Sequence, residues 1–490
     1  MYKPSRKKTV FLAVMVLVGI ILAGCAQAAA PTKPSSEKAP ETVVKTKAPE
    51  APEKKKPEME TKPTEKPAAK PTDKSADKSA DKSADKSEDK SKDKSADTQP
   101  QKPETTWRKT YGGPRNDTAE SVIFTKDGGY LIIGTTNLKF EPEMSANAYL
   151  IKTDEQGEFM WQHLYGENGY WRGEALSQIE NGGLLITGVR SSANGPDTDI
   201  YIAQLDQEKN EVWSKTFGGP LDEFGLAFPL ADGGYMLGGN IVDPNDPAVD
   251  NPGRAGYGGF AGRSNIYLAK YDADGGELWT QKFGGDKNVM ATAAVMTSDG
   301  GCVVVSTTMY YPEGGDDISL LKVDENGEEV WSHTWEDGSM SSRDLIQTSD
   351  GNFLIAGSYS PEADPVSTQR DFLFIKVDPE GNEIWSAIFG EPDMIDYASI
   401  MVETKDGGYL AAGMVTADLF GSPTDMPLVK LDPDGNILWQ KTIRMNEHIM
   451  FGDLLQHPDG GFVIVGSIIK GGQFDIFLIK IDEDGNLYGE

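Results

Sequence analysis

Residues 149–161 read "YLIKTDEQGEFMW", and the phrase returns as "YIAQLDQEKNEVW" (201–213), "YLAKYDADGGELW" (267–279), "SLLKVDENGEEVW" (319–331), "LFIKVDPEGNEIW" (373–385) and "PLVKLDPDGNILW" (427–439). It starts once more as "FLIKIDEDGNLYG" (477–489), without the closing Trp. Each copy opens with a short run of β-branched, aliphatic and aromatic residues, the composition of a strand. Asp and the Gly that follows three positions later then make a turn into a second strand carrying the Trp. Gly holds that position in six of seven copies because a left-handed backbone costs it least. In the second copy Lys209 stands there, followed by Asn210.

Working outward, Trp107, Trp161, Trp213, Trp279, Trp331, Trp385 and Trp439 are spaced by 52 to 54 residues, apart from one interval of 66. After each comes an apolar segment, then a turn: "DGG" at 127, 232, 299, 406 and 459, "NGG" at 181, "DGN" at 350. A second apolar run follows, such as "YLIIG" (130–134) or "FVIVG" (462–466), then a loop of variable length and the quoted phrase. Asp-Gly between such runs marks a hairpin. The unit therefore has four strands, and seven units of about 50 residues predict an all-β fold over 107–490, a seven-bladed β-propeller with four antiparallel strands per blade. Burial of both sheet faces against neighbouring blades accounts for apolar runs that do not alternate. The last unit lacks its Trp strand, and "WRKTYGG" (107–113) is a Trp strand with no unit before it. Paired, they close the propeller by its N- and C-terminal strands and remove its open edges.

Ahead of this domain, Lys3, Arg6, Lys7 and Lys8 precede an apolar run from Val10 to Leu22 that ends in "LAGC" (22–25). A basic head, a short apolar stretch and small residues read as a signal peptide over 1–24. Leu22-Ala23-Gly24-Cys25 resembles the lipobox of prokaryotic lipoproteins, which implies cleavage before Cys25 and lipidation of its thiol. The chain is then expected outside the cytoplasm, lipid-anchored to the cell membrane or the outer membrane. Residues 26–106 contain no Phe, Trp, Tyr, Leu or Ile and are dominated by Pro, Lys, Ser and Asp. Together with Cys25 they read as a lipidated, disordered tether, unable to bury enough apolar area to offset ordering.

The charge is divided unevenly. Of 47 Lys+Arg and 77 Asp+Glu, residues 1–106 hold 22 and 16, leaving 25 and 61 for residues 107–490. So acidic a domain repels phosphate backbones, which argues against nucleic acid as a partner. The other cysteine, Cys302, lies in the apolar "GGCVVVS" (300–306) and reads as a buried small hydrophobe. "DPDGN" (432–436) and "DEDGN" (482–486) have a faint likeness to calcium loops but lack the bidentate Glu of an EF-hand and read as turns. No metal and no cofactor are expected, and no triad, zinc or phosphate-loop signature stands out.

The Asp-Gly turns lie on one face of such a domain and the irregular loops on the other, so the irregular face is the expected working face. Asp117, Trp171, Arg172, Asp222, Glu223, Asp286 and Asp396 are placed near the mouth of the channel, with Tyr257, Phe260, Arg263, Tyr310 and Tyr311 farther out. Aromatics beside carboxylates suit sugars, amines or cationic peptides. His163 and His333 follow blade Trp residues by two positions and read as strand packing.

The Asp-x-x-Gly-x-x-x-Trp repeat resembles the tryptophan-docking motif of quinoprotein-type (PQQ-like) propellers, where it reads Asp-x-x-Thr-Gly-x-x-x-Trp. Lipid-anchored members of that group serve as assembly scaffolds for envelope proteins. The resemblance implies a monomeric, non-enzymatic binding or scaffold module for envelope proteins or extracellular ligands, held to the membrane by its anchor. The alternatives are a polysaccharide-binding or polysaccharide-degrading protein and, opposed by seven units instead of eight and by the lack of an adjacent cysteine pair, a PQQ-dependent dehydrogenase.

Overall fold

A computed structural model of the chain describes residues 106–139, 145–166, 169–179, 182–191, 198–217, 223–230, 232–242, 264–273, 275–310, 315–361, 369–390, 394–416 and 424–487. The expected signal peptide, Cys25 and the tether lie outside the described residues, as do Asp222, Tyr257, Phe260, Arg263 and Tyr311. Every regular element among the described residues is a β-strand. After β1 (Trp107–Tyr111) come β2 (Asn116–Phe124), β3 (Tyr130–Lys139), β4 (Ser145–Thr153) and β5 (Phe159–Tyr165), then β6 (Tyr170–Gln178), β7 (Leu184–Ser191), β8 (Thr198–Leu205) and β9 (Glu211–Phe217). The middle of the domain holds β10 (Glu223–Pro229), β11 (Tyr235–Val242), β12 (Ser264–Tyr271) and β13 (Glu277–Phe283), followed by β14 (Asn288–Met296), β15 (Cys302–Met309), β16 (Asp317–Val323) and β17 (Glu329–Trp335). Then follow β18 (Ser339–Gln347), β19 (Phe353–Ser360), β20 (Asp371–Val377) and β21 (Glu383–Phe389). The last strands are β22 (Ile395–Glu403), β23 (Tyr409–Thr416), β24 (Thr424–Leu431), β25 (Ile437–Gln456), β26 (Phe462–Lys470) and β27 (Gln473–Ile481).

Three sets, β10–β13, β14–β17 and β18–β21, form separate four-stranded antiparallel sheets. The others are joined in pairs. A single parallel bridge, Ala146 to Tyr170, links β2–β5 to β6–β9 in one eight-stranded sheet. A seven-stranded sheet arises because β25 runs unbroken for 20 residues, its first half pairing with β24 and its second with β26. A crossover loop was expected there, and the correction has a cause in the sequence. Other Trp strands end in "YGGP" (111–114), "FGGP" (217–220), "FGGD" (283–286) or "FGEP" (389–392), whereas "IRMNEH" (443–448) offers no glycine to interrupt the strand.

β1 pairs antiparallel with β27, Trp107 opposite Lys480 and Tyr111 opposite Ile476. Every internal set repeats this register, as in Trp161 opposite Lys152, Trp331 opposite Lys322 and Trp385 opposite Lys376. β1 thus takes the place of the outer strand that the last set does not carry itself. The first strands of successive sets touch one another, β2 with β6 and β25, β14 with β18, and β18 with β22 and through it β25. They are the inner edges, and the apolar second and third strands fill the core between sheets, with Leu150, Leu237, Leu320, Phe374, Leu428 and Leu478 at most 1% exposed.

Two side-chain devices repeat with the phrase. In five of the sets its Lys is buried and reaches the Asp of the preceding Asp-Gly turn: Lys152 to Asp127 (3.0 Å), Lys322 to Asp299 (2.8 Å), Lys376 to Asp350 (2.8 Å), Lys430 to Asp406 (3.0 Å) and Lys480 to Asp459 (2.6 Å), while Lys270 of the third set donates to Glu325 O at 3.3 Å. The second set has Asn181 and Gln204 at these two positions, so both members of the ion pair are changed together. Lys376 also donates to Tyr409 Oη at 2.9 Å. Replacing it by Met leaves that hydroxyl short of a partner while Asp350 stays half in water, so Lys376→Met is expected to cost about 1–2 kcal/mol in chemical denaturation. An unchanged midpoint would show the pair to be idle.

The second device is the Trp. Its indole N–H donates to the carbonyl just after the turn Asp of the next set, Trp279 to Glu325 O (2.9 Å), Trp331 to Pro379 O (3.1 Å) and Trp385 to Pro433 O (3.3 Å). The indoles of Trp107, Trp279, Trp331, Trp385 and Trp439 lie against Gly157, Gly327, Gly381, Gly435 and Gly485. Trp161 meets Lys209 instead, whose ammonium stands 5.7 Å from the ring centre and whose φ is 73°. Trp213 turns to its own set, donating to Gln204 Oε1 at 2.9 Å.

Candidate functional site

At the face opposite the Asp-Gly turns, the chain passes from each Trp strand to the next inner strand, and acidic side chains hold it there. Asp117, 2% exposed, accepts the Gly113 N–H at 2.7 Å and the Thr136 hydroxyl. A Cβ on Gly112 would meet the Asp475 carboxylate and, at 3.3 Å, that of Asp117, so the backbone runs between two carboxylates. Gly390 lies in the same way between Asp371 and Asp396, the latter 2% exposed and donating its own N–H to Arg370 O at 2.8 Å. Asp425 accepts the Met445 N–H at 3.1 Å, and Asn147 donates to Gly166 O. Asn147, Asp199, Asn265, Asp317, Asp371, Asp425 and Asp475 each stand five positions before the Lys (Gln204 in the second set) of the quoted phrase. That spacing is the signal by which this set of crossover holders could have been found, and the sequence reading passed over it.

Asp117 and Asp396, read from sequence as mouth residues, are therefore buried in backbone contacts. Asp286 is exposed in the turn from Gly284 to Lys287. Glu223 opens β10. Trp171 is half-buried, edge-on to Tyr201 at 4.8 Å with the Arg190 guanidinium 5.0 Å from its ring centre and Gly166 against its indole. His163 and His333 pack on Tyr165 and Trp331. In the turns that resemble calcium loops, Asp432 accepts the N–H groups of Asp434 and Asn436 and the Asn436 side-chain amide, and Asp482 those of Asp484 and Asn486 in the same pattern. Oxygens used in this way close the turn and leave a cation little to bind.

Arg172 is the expected residue that gathers others around it. Its Nη2 is 3.3 Å from Glu120 and its Nε 3.8 Å from Glu174. Both glutamates are the extra residues of β-bulges, in β2 between Ala119 and Ser121 and in β6 between Gly173 and Ala175. A bulge turns an added side chain out of the ladder, here from two neighbouring inner edges. Burial pushes the Glu174 carboxyl up to about 7 against the pull of Arg172, and Glu120 adds to the rise. Farther along, burial raises Asp344 to about 6 although it accepts the Met401 and Leu345 N–H groups.

Both groups keep a proton in the folded chain at pH values where the unfolded chain has lost it. The stability they contribute is complete below about pH 4 and is lost as pH rises through 6 and 7. The turn carboxylates act oppositely. Burial works to raise Asp299 and Asp459, but Lys322 and Thr297, and Lys480 with the Gly461 N–H and His457, hold them at about 2. Their contribution is present above about pH 4 and lost as pH falls toward 2. The melting temperature should peak at about pH 4, and Glu174→Gln should raise it at about pH 8 while leaving it nearly unchanged at about pH 4. An equal effect of the substitution at both pH values would refute this account.

A family model described as outer membrane protein assembly factor BamB matches residues 198–387 and, in a second alignment, 267–475. No curated protein matches the sequence. Among solved structures, the β-propeller domain of the Trilobed protease from Pyrococcus furiosus aligns at 13% identity with a TM-score of 0.44, over 76% of this chain and 98% of that one. Puromycin hydrolase aligns at 12% and 0.46, over 76% of this chain and 54% of that one, so the chain spans about half its length. The polysaccharide lyase Uly1 aligns at 10% and 0.45, over 76% and 91%.

Proposed function

The chain belongs to the PQQ-like repeat family of the outer membrane protein assembly factor BamB, and on that premise we propose that it is an extracytoplasmic binding module for envelope proteins, lipid-anchored through Cys25. The match to that family model carries the reading. We further read the sheets as seven four-stranded blades arranged in a ring. β25 then serves two of them, the bridge at Ala146 is an incidental contact between the first two, and β1 on β27 is the clasp. In that arrangement each Trp except Trp213 ties its blade to the next, and the irregular loops share one face free to recognise a partner. A long tether lets the ring stand off from the membrane and reach proteins above it.

The test is a crosslinking capture from envelope extracts with the full chain, run beside a glycan array. A defined protein that is captured again after polysaccharide digestion supports the reading; glycan binding with no protein partner overturns it. The anchor is checked separately, since Cys25→Ser should abolish incorporation of labelled fatty acid and move the protein to the soluble fraction.

A further inference from the structure

The inner edge formed by β18 and β22 carries two arginines that the propeller reading leaves unexplained. Arg343 is the extra residue of the β18 bulge, between Ser342 and Asp344, and is exposed. Its neighbour Asp344 accepts the Met401 N–H at 2.8 Å and so seats this bulge on β22. On β22, Tyr397 faces the guanidinium of Arg370, 5.9 Å from its ring centre. Arg370 forms a parallel bridge with Ile395 and is only 7% exposed.

Among the described residues, neither guanidinium has an ion pair or a side-chain hydrogen bond. Asp316 draws on Arg370 through space without reaching ion-pair distance, while the protein packed around Arg343 and the like charge of Arg370 both disfavour the charged form of Arg343. Two like charges thus stand together in a domain holding 61 acidic and 25 basic residues, where partners are abundant. A buried guanidinium without a counter-ion is costly. An anion from outside removes that cost and the mutual repulsion together.

We propose that a small molecule bearing a carboxylate or phosphate oxyanion binds between Arg343 and Arg370 at the Tyr397 edge of β22. Both headgroups match the planar fork of arginine donors. Asp316 limits how much negative charge the site accepts, which favours a single oxyanion group over a polyanion. The proposal does not depend on the identity of any protein partner.

Calorimetric titration of the full chain at constant ionic strength, with inorganic phosphate in one arm and succinate in the other, tests it. Saturable one-site binding of at least one probe is expected, and the arm that binds identifies the headgroup. Arg343→Gln should weaken it about tenfold or more without lowering the melting temperature, because the side chain is exposed and the substitution relieves its repulsion with Arg370. Arg343→Lys, which keeps the charge and loses the fork, should retain part of the affinity, and Arg115→Gln should retain all of it. Absence of saturable heat in both arms overturns the proposal, as does equal affinity in Arg343→Gln.

Discussion

Removing Trp107–Tyr111 should abolish cooperative unfolding of the domain. These five residues are the outer strand on β27. Trp107 lies on Gly157 and edge-on to Tyr130 at 5.8 Å, Tyr111 donates to Gly157 O at 2.6 Å, and Lys109 pairs with Glu158 at 2.6 Å. Both aromatic side chains pack against a cluster that includes Ile476, Leu478, Val463 and Tyr130. Loss of a packed Trp alone costs about 3–5 kcal/mol, and with the Tyr and five paired residues the sum approaches the whole stability of an ordinary domain, about 5–15 kcal/mol. The repeated register supplies a rescue. Because Trp107 faces Lys480 as Trp439 faces Lys430, the same five residues joined after Tyr488 should occupy the same place, as in every internal set. Denaturation curves of the two chains decide the matter: a transposed strand that restores no stability would mean that β1 is not equivalent to the internal Trp strands.

The second large effect is expected at Gly435. Its φ is 83°, and an added Cβ would come within 2.8 Å of the Trp385 indole. Gly351 is the built-in control, with φ 85° and no atom within 4 Å of the same position. Gly351→Ala therefore reads out the backbone term alone, about 1–2 kcal/mol. Gly435→Ala adds displacement of the indole, for a total of about 3–4 kcal/mol if packing against an added methyl costs its usual share. Equal losses at the two sites would mean that Trp docking contributes nothing beyond the turn.

How much of this was legible depended on the distance over which each signal acts. Strands, turns and the partnership of the two terminal segments follow from a phrase of 13 residues, and even the fused strand β25 has a local cause, the missing glycine in "IRMNEH". The Lys of the phrase was passed over because a cation in a strand ordinarily points to water. Its Asp partner lies 23, 26, 24 or 21 residues back in four of the sets, a spacing too uneven to read as a motif. At the candidate site, the sequence singles out Arg172 but not Glu120 and Glu174 beside it, since their approach requires two bulges that leave no mark in composition. Asp117 and Asp396 are expected near the channel mouth, on the face where the chain crosses from each Trp strand to the next set. That same position draws Asp117 inward, where its carboxylate accepts the Gly113 N–H, and buries Asp396 beside Gly390.

The pairing of β1 with β27 also orders events in time. β1 leaves the ribosome before any other described strand, yet the segment it must find is made only after some 360 further residues have been added. Each internal set can complete its local hairpins as it emerges, while Trp107 and its neighbours wait with their hydrogen-bonding groups and aromatic faces uncovered. Final assembly thus waits for β27, and a chain that has not yet delivered Gln473–Ile481 carries in Trp107–Tyr111 an unsatisfied strand that a holding chaperone must shield.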